Sequence, residues 1–123
     1  MRVLLLDDEV ATGRALARVI RHLGVEEIVL ATSADVALAA ADRGPFDVVI
    51  SDFTMPGMDG IDFLSEITRR RPDTRRFMIT GNPEDPKVVA GLGSGIAAAV
   101  LEKPAEMEAV RRMLGIAQES TRP

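Results

Sequence analysis

Short apolar runs alternate with amphipathic stretches five times along the 123 residues. The first run, residues 3–6, is continuously apolar, which is typical of a strand buried on both faces of a sheet. In the stretch that follows, apolar residues recur at helical spacing from Leu16 to Leu23. Strands that alternate with helices in this way predict an α/β fold, in which helices cover both faces of one parallel sheet.

The boundaries of these elements can be predicted from the apolar pattern and from Gly, Pro and capping residues. The five strands are expected at residues 3–6, 27–31, 46–50, 77–80 and 97–101. The first helix is expected to end at Gly24, the second to span 34–42 behind a Ser33 cap, and the third to end at Pro72. The fourth is expected at 85–92, and the fifth from Pro104, as its first residue, to Ala117.

The composition excludes several classes of protein. Apolar residues make up 46% and charged residues 28%, a balance typical of one globular domain. The net charge of −4 argues against direct binding of nucleic acid by this domain, and the absence of cysteine excludes thiol catalysis. No apolar run could cross a membrane, and the run at 3–6 is too short for a signal peptide, so we expect a cytoplasmic protein without a membrane partner.

Polar residues stand at the carboxyl ends of four predicted strands, where α/β sheets bind their ligands. They are Asp7 and Asp8, Asp52, Thr80 and Lys103, with Gly81 directly after Thr80 and Pro104 directly after Lys103. Three adjacent carboxylates repel one another unless some are protonated or a hard cation neutralises them. Oxygen ligands favour Mg²⁺, and a nearby lysine adds positive charge, so Asp52 could attack a phosphoryl group and hold it as an acyl phosphate.

These residues, with the Met-Pro-Gly-Met-Asp-Gly run at 55–60, resemble the receiver domain of two-component response regulators. The resemblance extends from Met1 to about Ala117, so we expect residues 1–119 to form the receiver domain and 120–123 a tail or the start of a linker. It implies a flavodoxin-like (βα)5 fold with a doubly wound, five-stranded parallel sheet of order 2-1-3-4-5.

The resemblance also implies a role for each residue near the phosphoryl group. Asp52 would be the phosphoacceptor, and Thr80 would be the switch hydroxyl that moves to hydrogen-bond the phosphoryl group. Gly81 would keep the approach open and offer its N–H, and Lys103 would pair with the phosphoryl group.

A magnesium site is implied in the same way. Asp8 would ligate Mg²⁺ directly and Asp7 mostly through a bound water, while Asp52 and the backbone carbonyl of Thr54 would complete the protein ligands. The peptide bond before Pro104 could be cis, as it is in similar proteins.

The implied function is a signalling switch in a bacterial two-component system or phosphorelay. A sensor histidine kinase or a phosphotransfer protein would donate the phosphoryl group, and the phosphoprotein would change conformation to bias a downstream effector domain or protein. We expect a phosphoacceptor with intrinsic transfer and autodephosphorylation chemistry, not an enzyme. A homodimer through the last helix and an effector domain beyond Pro123 both stay open.

One position departs from the receiver pattern. Receivers usually carry an aromatic residue three positions before the lysine of the fifth strand, and here that position is Val100. Since no aromatic residue follows Phe77, the usual coupling of threonine to an aromatic side chain cannot operate. We expect backbone shifts or the fourth helix, made mobile by glycines at 91, 93 and 95, to transmit the signal.

Two other functions stay open. The departure at Val100 would fit a pseudo-receiver, an interaction module that does not respond to phosphate, although the complete set of acidic residues and lysine argues against it. Asp52-Phe53-Thr54 is also similar to the motif of haloacid-dehalogenase-like phosphatases. Those enzymes have a second Asp where this chain has Thr54, and the chain has no room for their cap domain.

The remaining candidates have simpler explanations. We expect Asp59 to cap the third helix and His22 to lie at the surface, while either Asp7 or Asp8 could cap the first helix. A solvated helix end explains the basic cluster, with an anionic partner or nucleic acid as the alternative. The cluster comprises Arg69, Arg70, Arg71, Arg75 and Arg76.

Overall fold

The computed structural model of the protein describes residues 1–117. The strands are β1 (Arg2–Leu6), β2 (Glu27–Ala31), β3 (Val48–Ser51), β4 (Arg75–Thr80) and β5 (Ala99–Glu102). The helices are α1 (Val10–His22), α2 (Ala34–Arg43), α3 (Gly60–Arg70), α4 (Pro86–Gly93) and α5 (Met107–Leu114). All strand pairs are parallel, and the sheet order is β2-β1-β3-β4-β5, which confirms the predicted fold. The predicted tail, residues 120–123, lies outside the described residues.

The interior strand β1, which lies between β2 and β3, shows why the sheet is covered on both faces. Its side chains alternate, so Leu4 and Leu6 pack into the apolar cluster that contains the buried residues of α2, α3 and α4. Val3 and Leu5 point to the opposite face and pack with the buried residues of α1 and α5. All four side chains are fully buried or nearly so. The two apolar clusters hold the sheet between two layers of helices. Polar residues are therefore placed at the amino and carboxyl ends of the strands.

Local capping signals were read correctly for two helices. The Ser33 hydroxyl accepts a hydrogen bond from the N–H of Val36 at 3.3 Å, and the Asp59 carboxylate accepts one from the N–H of Asp62 at 2.9 Å. His22 is exposed at the end of α1, as expected. Among residues 1–117, no helix is both long and apolar enough to cross a membrane.

The predicted fifth helix was wrong at both ends. Lys103 still belongs to the sheet edge, because its N–H donates to the carbonyl of Thr80 at 2.9 Å, and the chain turns away before α5 begins at Met107. Pro104 is therefore outside the helix. At the other end Gly115 takes a left-handed conformation with φ of 73°, which stops the helix three residues short of its predicted end.

The limits of four of the five strands also differ from prediction. β1 begins one residue early, at Arg2, while β3 begins two residues late, at Val48, and ends one residue late, at Ser51. β4 begins two residues early, since Arg75 and Arg76 pair with the first residues of β3 even though their side chains are charged. β5 begins two residues late, at Ala99, and extends to Glu102. Polar residues at the ends of a strand, such as Arg75 and Glu102, carry no apolar signal. Apolar residues such as Phe46 and Ala97 lie just outside a strand, so the apolar pattern could not place these limits.

The basic cluster lies toward the amino ends of the strands, and most of its guanidinium groups bind protein atoms. Arg71 donates to the carbonyl of Ala41, Arg75 to that of Leu114, and Arg76 to that of Ile96. Arg76 also donates to the carbonyls of Pro72, Thr74 and Gly95. The expectation of a solvated helix end describes Arg69, whose side chain is 68% exposed and pairs with Glu66, but not Arg76.

Candidate functional site

The backbone of β1 and β3 brings the acidic residues together. The N–H of Asp7 donates to the carbonyl of Ala31 at 3.1 Å, and that of Asp52 donates to the carbonyl of Leu6 at 3.0 Å. The parallel ladder thus continues one residue beyond each strand. Because Asp7 directly follows the residue whose carbonyl Asp52 binds, the two side chains emerge at one edge of the sheet.

Three carboxylates form one cluster at this edge. One oxygen each from Asp7, Asp8 and Asp52 lies within 4.8 Å of the others, with Asp7 and Asp52 buried and Asp8 half-buried. Such a set of hard oxygen donors fits Mg²⁺, which binds carboxylates and retains several of its waters.

Lys103 reaches the cluster from β5. Its Nζ lies 2.9 Å from Asp7 Oδ2 and 3.0 Å from Asp52 Oδ2. Burial by itself lowers the pKa of Lys103, but the hydrogen bonds and charges of Asp7 and Asp52 outweigh that effect and raise the pKa above its ordinary value. Lys103 is therefore a cation at neutral pH, and it balances one of three carboxylates when all three are ionised.

The carboxylates of Asp7 and Asp52 are each fixed through both oxygens. Asp52 Oδ1 accepts the N–H of Phe53 at 2.7 Å, while Oδ2 faces the ammonium of Lys103. Asp7 Oδ1 accepts the N–H of Glu9 at 2.9 Å. Glu9 is the residue that precedes α1, and no side chain caps that helix, so the capping role considered for Asp7 and Asp8 is wrong.

The end of β4 forms the opposite wall. Thr80 is fully buried, and its hydroxyl oxygen accepts the N–H of Asn82 at 3.1 Å. The amide of Asn82 in turn reaches the hydroxyl of Thr54 at 3.5 Å, which links the loops after β3 and β4. Asn82 was missed from the sequence, because nothing in a Gly-Asn-Pro turn indicates where its side chain points.

Gly60 is a second residue that the sequence left without a role. It is buried at the start of α3, and its N–H donates to the carbonyl of Phe53 at 2.8 Å. A Cβ at this position would overlap the backbone carbonyl oxygen of Asp52 and lie 2.7 Å from the side chain of Met78. The final glycine of the Met-Pro-Gly-Met-Asp-Gly run therefore lets α3 start directly against Asp52.

The other predicted positions lie around this edge. The Lys103–Pro104 peptide bond is cis. Gly81 is exposed, and a Cβ there would meet no atom within 4 Å, so its proposed role depends on a bound group. Val100 is half-buried in β5 and packs against the cluster that contains α3 and α4.

The protein combines a parallel five-stranded α/β fold with an acidic cluster and a lysine at the carboxyl edge of the sheet. This combination can be compared with known protein families. The family model described as response regulator receiver domain matches residues 3–115. The chain belongs to this family of receiver domains.

Relatives from three bacteria agree with this assignment. The "Probable chemotaxis protein CheY" of Rhizobium etli is 33% identical over 113 residues, which are 90% of this chain and 87% of that protein. The response regulator FleR of Pseudomonas aeruginosa is 38% identical over 89% of this chain, and the hydrogenase transcriptional regulatory protein HoxA of Cupriavidus necator is 35% identical over 73%. The matched residues are only 23% of FleR and 18% of HoxA.

Solved structures give the same result for the fold. The response regulator TrrA of Thermotoga maritima, in complex with Mg²⁺ and BeF, matches with a TM-score of 0.81 and 25% identity over 93% of this chain and 96% of that one. A protein from Neptuniibacter caesariensis matches with a TM-score of 0.85 and 33% identity over 93% of this chain and 84% of that one.

Proposed function

We propose that this receiver domain accepts a phosphoryl group on Asp52 from the phosphohistidine of a sensor kinase or phosphotransfer protein, and that Mg²⁺ is required. The observation that carries the proposal is the position of Lys103, whose ammonium lies between the carboxylates of Asp7 and Asp52. A single cation beside three carboxylates leaves a negative site that a divalent ion would neutralise and a phosphate could then approach.

The transfer itself needs a carboxylate nucleophile and stabilisation of charge. An oxygen of Asp52 attacks phosphorus, and the new P–O bond forms as the P–N bond of the donor breaks. The electron pair of that bond stays on the imidazole nitrogen, which takes a proton. Lys103 would stabilise the negative charge on the phosphoryl oxygens. The hydroxyl of Thr80, whose oxygen accepts the N–H of Asn82, would donate a hydrogen bond to one of those oxygens.

The metal ligands would be the carboxylates of Asp7, Asp8 and Asp52, with the carbonyl of Thr54 as a fourth protein ligand. When bound, Mg²⁺ supplies positive charge that allows a phosphoryl oxygen to approach the carboxylates. Asp8 is the most exposed of the three carboxylates, which supports its role as a direct ligand, whereas Asp7 would bind mostly through a water. The chain would be a phosphoacceptor that also catalyses its own dephosphorylation, not an enzyme acting on a separate substrate.

Incubation with acetyl phosphate and Mg²⁺, followed by intact-mass measurement, tests this function. We expect one adduct of about 80 Da. It should not form when Mg²⁺ is chelated, and it should not form in the Asp52→Asn variant. Asp35→Asn, which changes an exposed carboxylate on α2, should still form the adduct. If the wild-type chain forms no adduct and binds no beryllofluoride, the domain is instead a pseudo-receiver that binds partners without phosphorylation.

The partners would follow from this chemistry. A phosphohistidine protein would act as donor, and an effector domain or a separate protein would respond to the phosphorylated state. HoxA and FleR extend well beyond the residues that match this chain, so an effector in the same polypeptide is one form that the output could take.

A further inference from the structure

The helices α3 and α4 approach each other closely at one buried glycine. Gly91 lies inside α4, and a Cβ on it would be only 2.5 Å from Cδ1 of Ile61 in α3. Glycine weakens a helix interior by about 1 kcal/mol relative to alanine. Gly91 therefore reduces the stability of α4. Because it has no Cβ, it also permits a short distance between α3 and α4.

An ion pair joins the same two helices one turn away. Nζ of Lys87 lies 2.7 Å from Asp59 Oδ2 and 2.9 Å from Asp62 Oδ1. Lys87 and Gly91 are four residues apart and so share one face of α4. We call the Gly91–Ile61 packing and the Lys87 ion pair together the α3–α4 contact.

The start of α3 in turn lies against the phosphoacceptor. Gly60 fits against the backbone carbonyl of Asp52 with no space for a side chain. Its neighbours in the chain are Asp59, which binds Lys87, and Ile61, which packs on Gly91. A continuous series of contacts therefore runs from Asp52 through the first turn of α3 to α4, and it contains no aromatic side chain.

We propose that the α3–α4 contact transmits the state of Asp52 to α4, and thereby replaces the coupling that an aromatic residue at position 100 would supply. The inference rests on the proposed phosphorylation of Asp52. Any movement of the loop after β3 shifts the first turn of α3, because Gly60 is fixed against Asp52. The first turn of α3 then carries α4 with it through the buried Gly91–Ile61 packing and the Lys87 ion pair.

Two variants with matched controls test this route. Gly91→Ala puts a Cβ 2.5 Å from Cδ1 of Ile61 and so disrupts this packing, by displacing either the Ile61 side chain or α4. Its control is Gly93→Ala in the same helix, where a Cβ would meet no atom within 4 Å. Lys87→Gln removes the ion pair at an exposed position, so it should fold normally, and its control is Lys87→Arg. The measurement is the change in backbone amide NMR shifts when beryllofluoride is added to the Mg²⁺ form of each protein.

In the wild-type protein and both controls, we expect amides of α4 to shift together with those of Phe53 and Thr54. In Lys87→Gln, the changes in α4 amide shift on adding beryllofluoride should be about twofold smaller, because an exposed ion pair is a weak contact. In Gly91→Ala they should be smaller still, because the packing that is lost is buried. The shifts of Phe53 and Thr54 should stay complete in every variant.

Two results would overturn the route while leaving the proposed function intact. In one, Phe53 and Thr54 shift in the wild-type protein but α4 does not. In the other, Gly91→Ala and Lys87→Gln respond as fully as their controls. If beryllofluoride shifts nothing near Asp52 in the wild-type protein, the proposed function itself fails and this inference fails with it.

Discussion

The amino and carboxyl ends of the strands form two edges of the sheet, and charged side chains have different partners at each. At the amino edge, the guanidinium groups of Arg71, Arg75 and Arg76 donate to backbone carbonyls, and Arg76 alone donates to those of four residues. At the carboxyl edge, three carboxylates crowd within 4.8 Å of one another beside Lys103. A guanidinium bound to carbonyls has its hydrogen bonds satisfied within the fold, whereas the acidic cluster keeps a repulsion that a ligand can relieve.

This difference separates structural charge from charge that is available for chemistry. Replacing an arginine that donates to backbone carbonyls at the amino edge should cost stability and leave ligand binding unchanged. Replacing a charged residue of the carboxyl edge should change stability in a direction that depends on its sign, and should always change the response to Mg²⁺. Chemical denaturation of four variants, with and without Mg²⁺, tests that distinction.

The largest effect is expected for Lys103→Gln. Without the ammonium, the buried carboxylates of Asp7 and Asp52 keep their mutual repulsion and lose their cation. The metal-free variant should therefore lose about 3 kcal/mol of unfolding free energy. Mg²⁺ should restore part of the loss. A loss of the same size with Mg²⁺ saturating would contradict the view that the charge of Lys103 explains it.

A smaller loss is expected for Arg76→Gln at the amino edge. The carbonyls of Gly95 and Ile96 lose a charged donor, so the unfolding free energy should fall by about 2 kcal/mol. Mg²⁺ should stabilise this variant as much as it stabilises the wild-type protein. Unequal stabilisation would show that the two edges are not independent.

The opposite sign is expected for Asp8→Asn. Removing one of three crowded carboxylates should stabilise the metal-free protein by about 1 kcal/mol, because repulsion between neighbouring negative charges is relieved. The stabilisation by Mg²⁺ should at the same time nearly disappear, since a ligand is lost. A destabilised metal-free variant would mean that the cluster does not carry the repulsion assigned to it.

The smallest effect is expected for Arg69→Gln, the matched control for Arg76→Gln. Its side chain is exposed and pairs only along α3 with Glu66 in the described part of the chain, so the denaturation midpoint should not change measurably. A midpoint shift as large as that of Arg76→Gln would remove the distinction between the two arginines.

The sequence predicted the acidic cluster because parallel strands end at a common edge, so that residues directly after β1, β3 and β5 must lie close together. The same reasoning fails for contacts between helices. Lys87 and Asp59 are far apart in the chain, and no periodicity indicates that they meet. Gly91 was interpreted only as a residue that weakens α4, since a sequence shows what glycine lacks and not which neighbour takes the space.

Element ends were the other weak point, for a related reason. The start of β4 and the start of α5 are set by hydrogen bonds between strands, as at Lys103 and Thr80, and not by a local apolar pattern. Caps such as Asp59 were predictable because the bond they make is local.

The chain has thirteen arginines but only two lysines, Lys87 and Lys103. One lies in the acidic cluster and the other in the α3–α4 contact. Isotope labelling of lysine alone would therefore give two side-chain signals, one at each end of the proposed route. A single spectrum could follow the origin of the signal and its arrival at α4 separately.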